Sequence, residues 1–165
     1  MTIQQTVHRP VPVFEPMTLK DVDAVLVIEQ AIHVFPWTRG HFVDSLVSGY
    51  RAQVLRLDGC LAGYAIVMMT PDDAQLLDIG IGLPWQRQGW GAYFLRHLLI
   101  EAQANAVSRM LLEVRASNQT ALALYGRCGF TQIGVRRHYY SGAGGREDAL
   151  VLECLLSAEQ GSMAS

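Results

Sequence analysis

The segment Ile79-Gly80-Ile81-Gly82-Leu83-Pro84-Trp85-Gln86-Arg87-Gln88-Gly89-Trp90-Gly91-Ala92 carries the clearest chemistry in the chain. It lies between a strand-like apolar run and a helical stripe, so its end is a helix start. The first N–H groups of a helix lack intrahelical partners and sit at the positive end of the macrodipole, which suits a phosphate. Gly89 and Gly91 carry no side chain where backbone must approach a ligand, and Arg87 can add a charge-assisted contact. Two nucleotide motifs fail. A dinucleotide fingerprint begun at Gly89 needs a third glycine where Phe94 stands, and a P-loop needs Gly-Lys-Ser/Thr. What remains is Gln86-x-x-Gly89-x-Gly91, a glycine loop suited to a phosphate at a helix start, with an ordinary glycine-containing turn as the alternative.

Other side chains admit two readings each. Alternation over 110–114 puts Met110, Leu112 and Val114 on one face and Glu113 on the other, so its carboxylate can point out of the core or pair with Arg115 at an edge. Tyr125 falls on the apolar face of a helix, where a tyrosine alone reads as core. Asn118 sits where an N-cap is needed. Trp37, Tyr139 and Tyr140 can line a groove or fill a core. Cys128 has no histidine near it in sequence, which favours a buried thiol over a nucleophile. The 5 histidines show no His-x-x-x-His spacing, so no metal is expected.

These residues need elements to hold them. Alternation predicts a first strand over 11–16. Thr18, with Asp21 three residues on, predicts a cap for a helix bearing Val22, Val25, Ile28 and Glu29 and ending near Val34. Phe35-Pro36-Trp37 breaks it, and Thr38 caps a second helix with Phe42 and Leu46. Strands over 52–57 and 61–69 join through Asp58-Gly59, a strong hairpin signal, and a third follows over 75–81. After the glycine loop, Ala92, Leu95, Leu98, Leu99 and Ala102 mark a helix. A buried strand over 110–114, a helix from Asn118 to a Gly129 C-cap, and strands over 130–137 and 150–155 complete the chain.

At 165 residues the chain fits one domain over 1–165, with 1–10 and 157–165 expected to be flexible ends. It is 50% hydrophobic and 17% charged, which excludes a mainly disordered chain. A net charge of −2 with no basic block argues against direct nucleic-acid or anionic-membrane binding. No signal-like run opens the sequence, and the longest apolar run, 61–69, is too short for a span. Three scattered cysteines suit reduced thiols in a cytoplasm.

Taken together, these blocks resemble the GNAT acetyltransferases. Gln86-x-x-Gly89-x-Gly91 is similar to their coenzyme A pyrophosphate loop. Leu112-Glu113-Val114-Arg115-Ala116-Ser117-Asn118, then Ala121 to Tyr125 and Cys128-Gly129-Phe130, follows the order of their second half. Within the family the likeness is to the RimI group, which acetylates the N-terminal alanine of a small-subunit ribosomal protein. Phe35-Pro36-Trp37, Arg136-Arg137-His138-Tyr139-Tyr140 and Gly145-Arg146-Glu147-Asp148-Ala149 also carry it, and it spans nearly all of 15–155. Three departures are local: Gly82-Leu83 replaces the usual Asp-Pro, Trp90 is bulky for the loop, and 141–144 is rich in small residues.

The resemblance implies an α/β chain of GNAT fold: a central mixed, mostly antiparallel sheet flanked by helices and splayed between the fourth and fifth strands. It implies acetyl-CoA as cosubstrate, with no metal. Ile79, Gly80, Ile81, Arg87, Gln88, Gly89, Trp90, Gly91, Ala92, Asn118 and Tyr125 would contact that cofactor. Glu113 would be the base and Tyr125 the acid, with Trp37, Tyr139 and Tyr140 on the acceptor side. The acceptor implied is a ribosomal protein N-terminus. The alternatives are a GNAT acting on a small-molecule amine and a non-catalytic coenzyme A-binding module.

Overall fold

A computed structural model describes residues 8–142 and 144–157. Most of both expected flexible ends, and position 143, lie outside the described residues. The strands are β1 (Pro12–Pro16), β2 (Arg51–Leu57), β3 (Cys60–Met69), β4 (Asp73–Ile81), β5 (Arg109–Arg115), β6 (Thr131–Gly142) and β7 (Gly145–Leu155). The helices are α1 (Val22–Ile32), α2 (Arg39–Val47), α3 (Trp90–Ala104) and α4 (Gln119–Arg127). Seven strands form one sheet in the order β1-β2-β3-β4-β5-β7-β6. Every neighbouring pair is antiparallel except β4 with β5.

That exception creates the site. β4 and β5 pair only over Asp73–Leu76 and Arg109–Leu112, and the rest of each strand lacks a partner across the gap. The sheet therefore splays between β4 and β5, as the family resemblance implies. On its own, the sequence could not have shown this, because both strands read as ordinary buried runs.

Local signals explain most elements. Asp58 and Gly59 adopt φ of 48° and 80°, the pair of positive values a two-residue hairpin turn requires. Asp58 Oδ1 also accepts the Val11 N–H at 2.9 Å, tying β1 to that turn. Thr38 Oγ1 accepts from the His41 N–H at 3.3 Å and starts α2. At Thr18 the backbone N–H donates to Asp21 Oδ2 at 2.9 Å, which fixes a 3-10 turn, Leu19–Asp21, ahead of α1.

The sheet carries a core on each face. Val54, Tyr64 and Ile66 pack on Val22, Val25 and Phe42 of α1 and α2. Leu55, Leu57, Val67, Leu76 and Leu112 pack on Trp90, Phe94, Leu95 and Leu98 of α3. Phe94 is fully buried, so Phe94→Ala should cost about 3–5 kcal/mol of stability, read as a lowered urea midpoint. Among the described residues, no helix is long and apolar enough to cross a membrane.

Two expectations need correction. α1 stops at Ile32, short of Val34, because His33 turns extended (φ −106°, ψ 133°). The last two strands run much further than 130–137 and 150–155. Residues 138–149 fall outside both predicted strands, yet Tyr140 pairs with Glu147 and Gly142 with Gly145, with an irregularity between Arg136 and Tyr140 absorbing the left-handed His138 (φ 53°).

Candidate active site

A cavity of about 460 Å³ opens where β4 and β5 part. Leu76 to Ile79 form one wall and Leu112 to Arg115 the other; Tyr125 of α4 and Tyr140 of β6 also line it, with Ile32 to Phe35 at the end of α1. Register puts Glu113 on the cavity side: Met110, Leu112 and Val114 are buried and Glu113 is not. Its partner is Arg136 rather than Arg115. The two form an ion pair, Arg136 Nε standing 2.9 Å from Glu113 Oε1 and reaching over β7 from the edge strand.

Arg115 does something else. Its guanidinium lies between the ring of Phe35, 3.8 Å from the centroid, and that of Tyr140, at 4.4 Å. It also donates to the Ser141 carbonyl at 3.0 Å and to Glu147 at 3.4 Å. Glu147 accepts the Ser117 N–H at 2.7 Å. Hydrogen bonds from Ser117, with Arg115 behind them, hold its carboxyl below the usual range. The segment after α1, the β5–α4 turn and the β6–β7 hairpin thus meet at Arg115.

Tyr125 is 9% exposed, and burial followed by the charge of Asp78 pushes its phenol upward. It stays protonated and able to donate. Tyr140 is pushed up to about 12, first by burial and then by Glu113. Asn118 caps α4, its Oδ1 accepting the Ala121 N–H at 3.1 Å, and its side also lines the cavity.

Beyond the cavity lies the glycine loop. Gln86 Nε2 donates to the Ile81 carbonyl at 2.8 Å, pinning the loop to the end of β4. Arg87 and Gly89 take left-handed φ of 62° and 88°, and α3 begins with no side-chain cap. Arg87, Gln88 and Gly89 are exposed, while Gly91 and Ala92 are half-buried. Trp90 departs from its expected place, since its side chain is 4% exposed in the core and only its backbone belongs to the loop. Gly80 is buried, and its missing Cβ makes room for Tyr64: a Cβ there would stand 2.6 Å from Tyr64 Cζ. Trp37 is not brought to the cavity. Its ring packs 5.2 Å from Phe42 and 5.8 Å from His41, and Phe35 holds the cavity mouth instead. Tyr139 is exposed next to Tyr140, at 5.0 Å, outside the cavity lining.

A sequence profile of the Acetyltransferase (GNAT) family matches residues 22–130. The chain belongs to the GNAT acetyltransferases. Over 137 residues it is 39% identical to the [ribosomal protein bS18]-alanine N-acetyltransferase of Escherichia coli K12, covering 83% of this chain and 93% of that protein. The crystal structure of the ribosomal-protein-S18-alanine N-acetyltransferase from Escherichia coli superposes with a TM-score of 0.84 at 34% identity, over 94% of this chain and 100% of that one. The fold, at 16% identity, is also that of a NatC complex bound to Gag peptide and CoA, with a TM-score of 0.75 over 88% of this chain and 99% of that one.

The GNAT fold here also assembles a group that sequence spacing did not reveal. Glu29, Tyr64, His33 and Asp78 meet on the α1 side of the cavity. Glu29 is 1% exposed; it accepts the Trp37 N–H at 3.0 Å and the Tyr64 hydroxyl. His33 Nε2 lies 3.5 Å from Glu29 and 3.4 Å from Asp78. Ligand-type atoms of Glu29, His33 and Asp78 fall within 4.8 Å of one another, so His-x-x-x-His spacing was too narrow a test for a metal-capable group. The available signal was a carboxylate on the buried stripe of α1, four residues before a histidine, and a lone Asp in an apolar strand. Cys128, expected to be buried, is half-buried, and desolvation pushes its thiol up.

Asp78 is pushed up to about 9, mainly by burial and then by Glu29. A carboxyl raised on folding gives stability that is whole below its ordinary value of about 3.9 and fades as pH rises towards about 9. Asp78→Asn, which removes that dependence, should therefore melt above the parent at pH 8 and lose this advantage at pH 4.

Proposed function

We propose that this GNAT acetyltransferase moves the acetyl group of acetyl-CoA to the N-terminal α-amine of a protein, the alanine of ribosomal protein bS18 being its acceptor. The observation that carries this reading is the 39% identity, over 83% of the chain, to an enzyme named for that reaction. The cavity supports it by offering the groups such a transfer needs at one place.

The thioester would lie in the splay, with its carbonyl near the backbone of Ile79 to Ile81. Backbone N–H groups there would polarise it. The pyrophosphate would lie against the N–H groups of the Gly89-Trp90-Gly91-Ala92 turn, with Arg87 and Gln88 beside it and Asn118 against the arm. Glu113 takes a proton from the acceptor's ammonium group, directly or through water. The neutral amine so formed attacks the acetyl carbon, and the proton that nitrogen then sheds passes to water. The C–S bond then breaks, and the departing sulfur takes a proton from Tyr125. A thiol near pKa 8.5 needs little help to leave, so a protonated phenol donating a hydrogen bond suffices. The exposed Tyr139, with Arg136 over its ring at 5.4 Å, would guide the peptide in from the β6–β7 hairpin.

An α-amine has a pKa of about 7.7–8.0 and a lysine ε-amine about 10.4, so deprotonation alone favours the former by about two orders of magnitude near pH 7. Peptides that begin with alanine, with free or blocked N-termini, should be assayed beside polyamines. Only the free α-amine should be acetylated efficiently. Tyr139→Ala should raise the peptide KM by about tenfold, the loss of one aromatic anchor, without moving the KM for acetyl-CoA. Preference for polyamines, or equal activity on the blocked lysine peptide, contradicts the reading.

A further inference from the structure

His33 and Asp78 line the cavity on the wall across from Glu113, with Glu29 and Tyr64 behind them, and the transfer proposed above gives this cluster no task. Both Glu29 oxygens already accept a hydrogen bond, from the Trp37 N–H and the Tyr64 hydroxyl. His33 Nε2 is buried 3.5 and 3.4 Å from the two carboxylates, in ion-pair range but without a hydrogen bond to either, so the exposed part of the ring lies away from it and Nδ1 is the nitrogen that can meet a proton from the cavity. Its ring is 32% exposed and lines the cavity, whereas Asp78 is 9% exposed with Oδ2 buried and without a partner. Since the Glu29 oxygens are engaged, a proton suits this arrangement better than a cation does.

We propose that His33, positioned by Glu29 and Asp78, is a second proton acceptor for the acceptor's ammonium group, working from the wall opposite Glu113. The proposal rests on the α-amine reading above. The N–H bond of the ammonium breaks with its electron pair left on nitrogen, and the proton goes to His33 Nδ1, directly or through one water. The imidazolium is then balanced by a carboxylate at Nε2, and the proton leaves through the exposed part of the ring. Two carboxyls beside one imidazole make the cluster an acidic patch on the α1 side of the cavity. It therefore also attracts the ammonium before accepting its proton. The charged and titratable groups facing His33 are Glu29 of α1, Tyr64 of β3 and Asp78 of β4, with Glu113 and Arg115 of β5, Tyr125, Tyr140 and Glu147 around the cavity.

The test is the pH profile of kcat/KM on an alanine peptide at saturating acetyl-CoA, for wild type, His33→Gln and His33→Ala. His33→Gln should be at least about tenfold slower at pH 7, a gap that closes by about pH 9 where the amine is already neutral. The KM for acetyl-CoA should not move. His33→Ala should regain activity when imidazole is added, which a structural role would not produce. His33 ends α1 and is part-exposed, and melting curves on both variants would show whether they remain folded. A loss equal at every pH, no loss, or no imidazole rescue in folded protein overturns the proposal. Loss of wild-type activity on dialysis against a chelator overturns it too, by giving the cluster to a metal ion. A wild type that leaves the peptide α-amine unmodified overturns the underlying reading as well, so the two failures are distinct.

Discussion

Glu113→Gln should lower kcat/KM for an alanine peptide at pH 7 by about 10²-fold or more, the usual contribution of a positioned general base. Glutamine keeps the shape beside Arg136, whose Nε stands 2.9 Å from Glu113 Oε1 as an ion pair. Folding and acetyl-CoA binding should therefore hold. What is lost is a site for the proton. Because the α-amine sheds that proton unaided above about pH 8, the deficit should narrow as pH rises through that value. Initial rates from pH 6 to 9.5 would show the slope. An unchanged rate at pH 7 means that Glu113 is not the base, and a deficit constant with pH means that the carboxylate acts by orienting rather than by accepting.

Gly89→Val should weaken acetyl-CoA binding by about tenfold or more. Gly89 has φ of 88°, and a β-branched residue there is forced out of its allowed region. Nothing in the fold lies within 4 Å of a Cβ built at Gly89, so the new side chain would meet no protein atom and would occupy the space left for a ligand. The strain, about 1–3 kcal/mol, would also disturb the uncapped start of α3. Gly49 supplies the control. It has φ of 75°, the same open surroundings, and a place in the turn before β2, so Gly49→Val imposes like strain far from the loop. Calorimetry should show normal acetyl-CoA affinity for Gly49→Val and a clear loss for Gly89→Val. Equal affinities would make the loop a structural turn only.

The contrast between what sequence revealed and what it hid has a physical cause. Asp58-Gly59, Thr38 and Asn118 are local devices whose geometry depends on their own few residues, and all three act as read. The facing of Glu113 follows from a period of two and needs no knowledge of other strands. By contrast, the Glu29–His33–Asp78 group depends on how α1 crosses the end of β3 and β4, and no periodicity encodes that crossing. Trp90 went into a core and Trp37 packs half-buried against one, because a large ring near a motif still gains most by burial, while their backbones keep the motif's shape. The arms of β6 and β7 were hidden for the opposite reason. Glycine, aspartate and glutamate, as at Gly142, Gly145, Glu147 and Asp148, disfavour strands locally, and pairing between the two arms makes them extended.

The central claim, acetyl transfer to a protein N-terminus, is tested most directly in cells. Mass spectrometry of N-terminal peptides should be compared between cells with the gene intact and cells with it deleted. The account predicts that bS18 carries an acetylated N-terminal alanine in the first and a free one in the second, with complementation by wild type but not by Glu113→Gln. Full acetylation of bS18 in the deleted cells, with no other protein N-terminus changed, would contradict it.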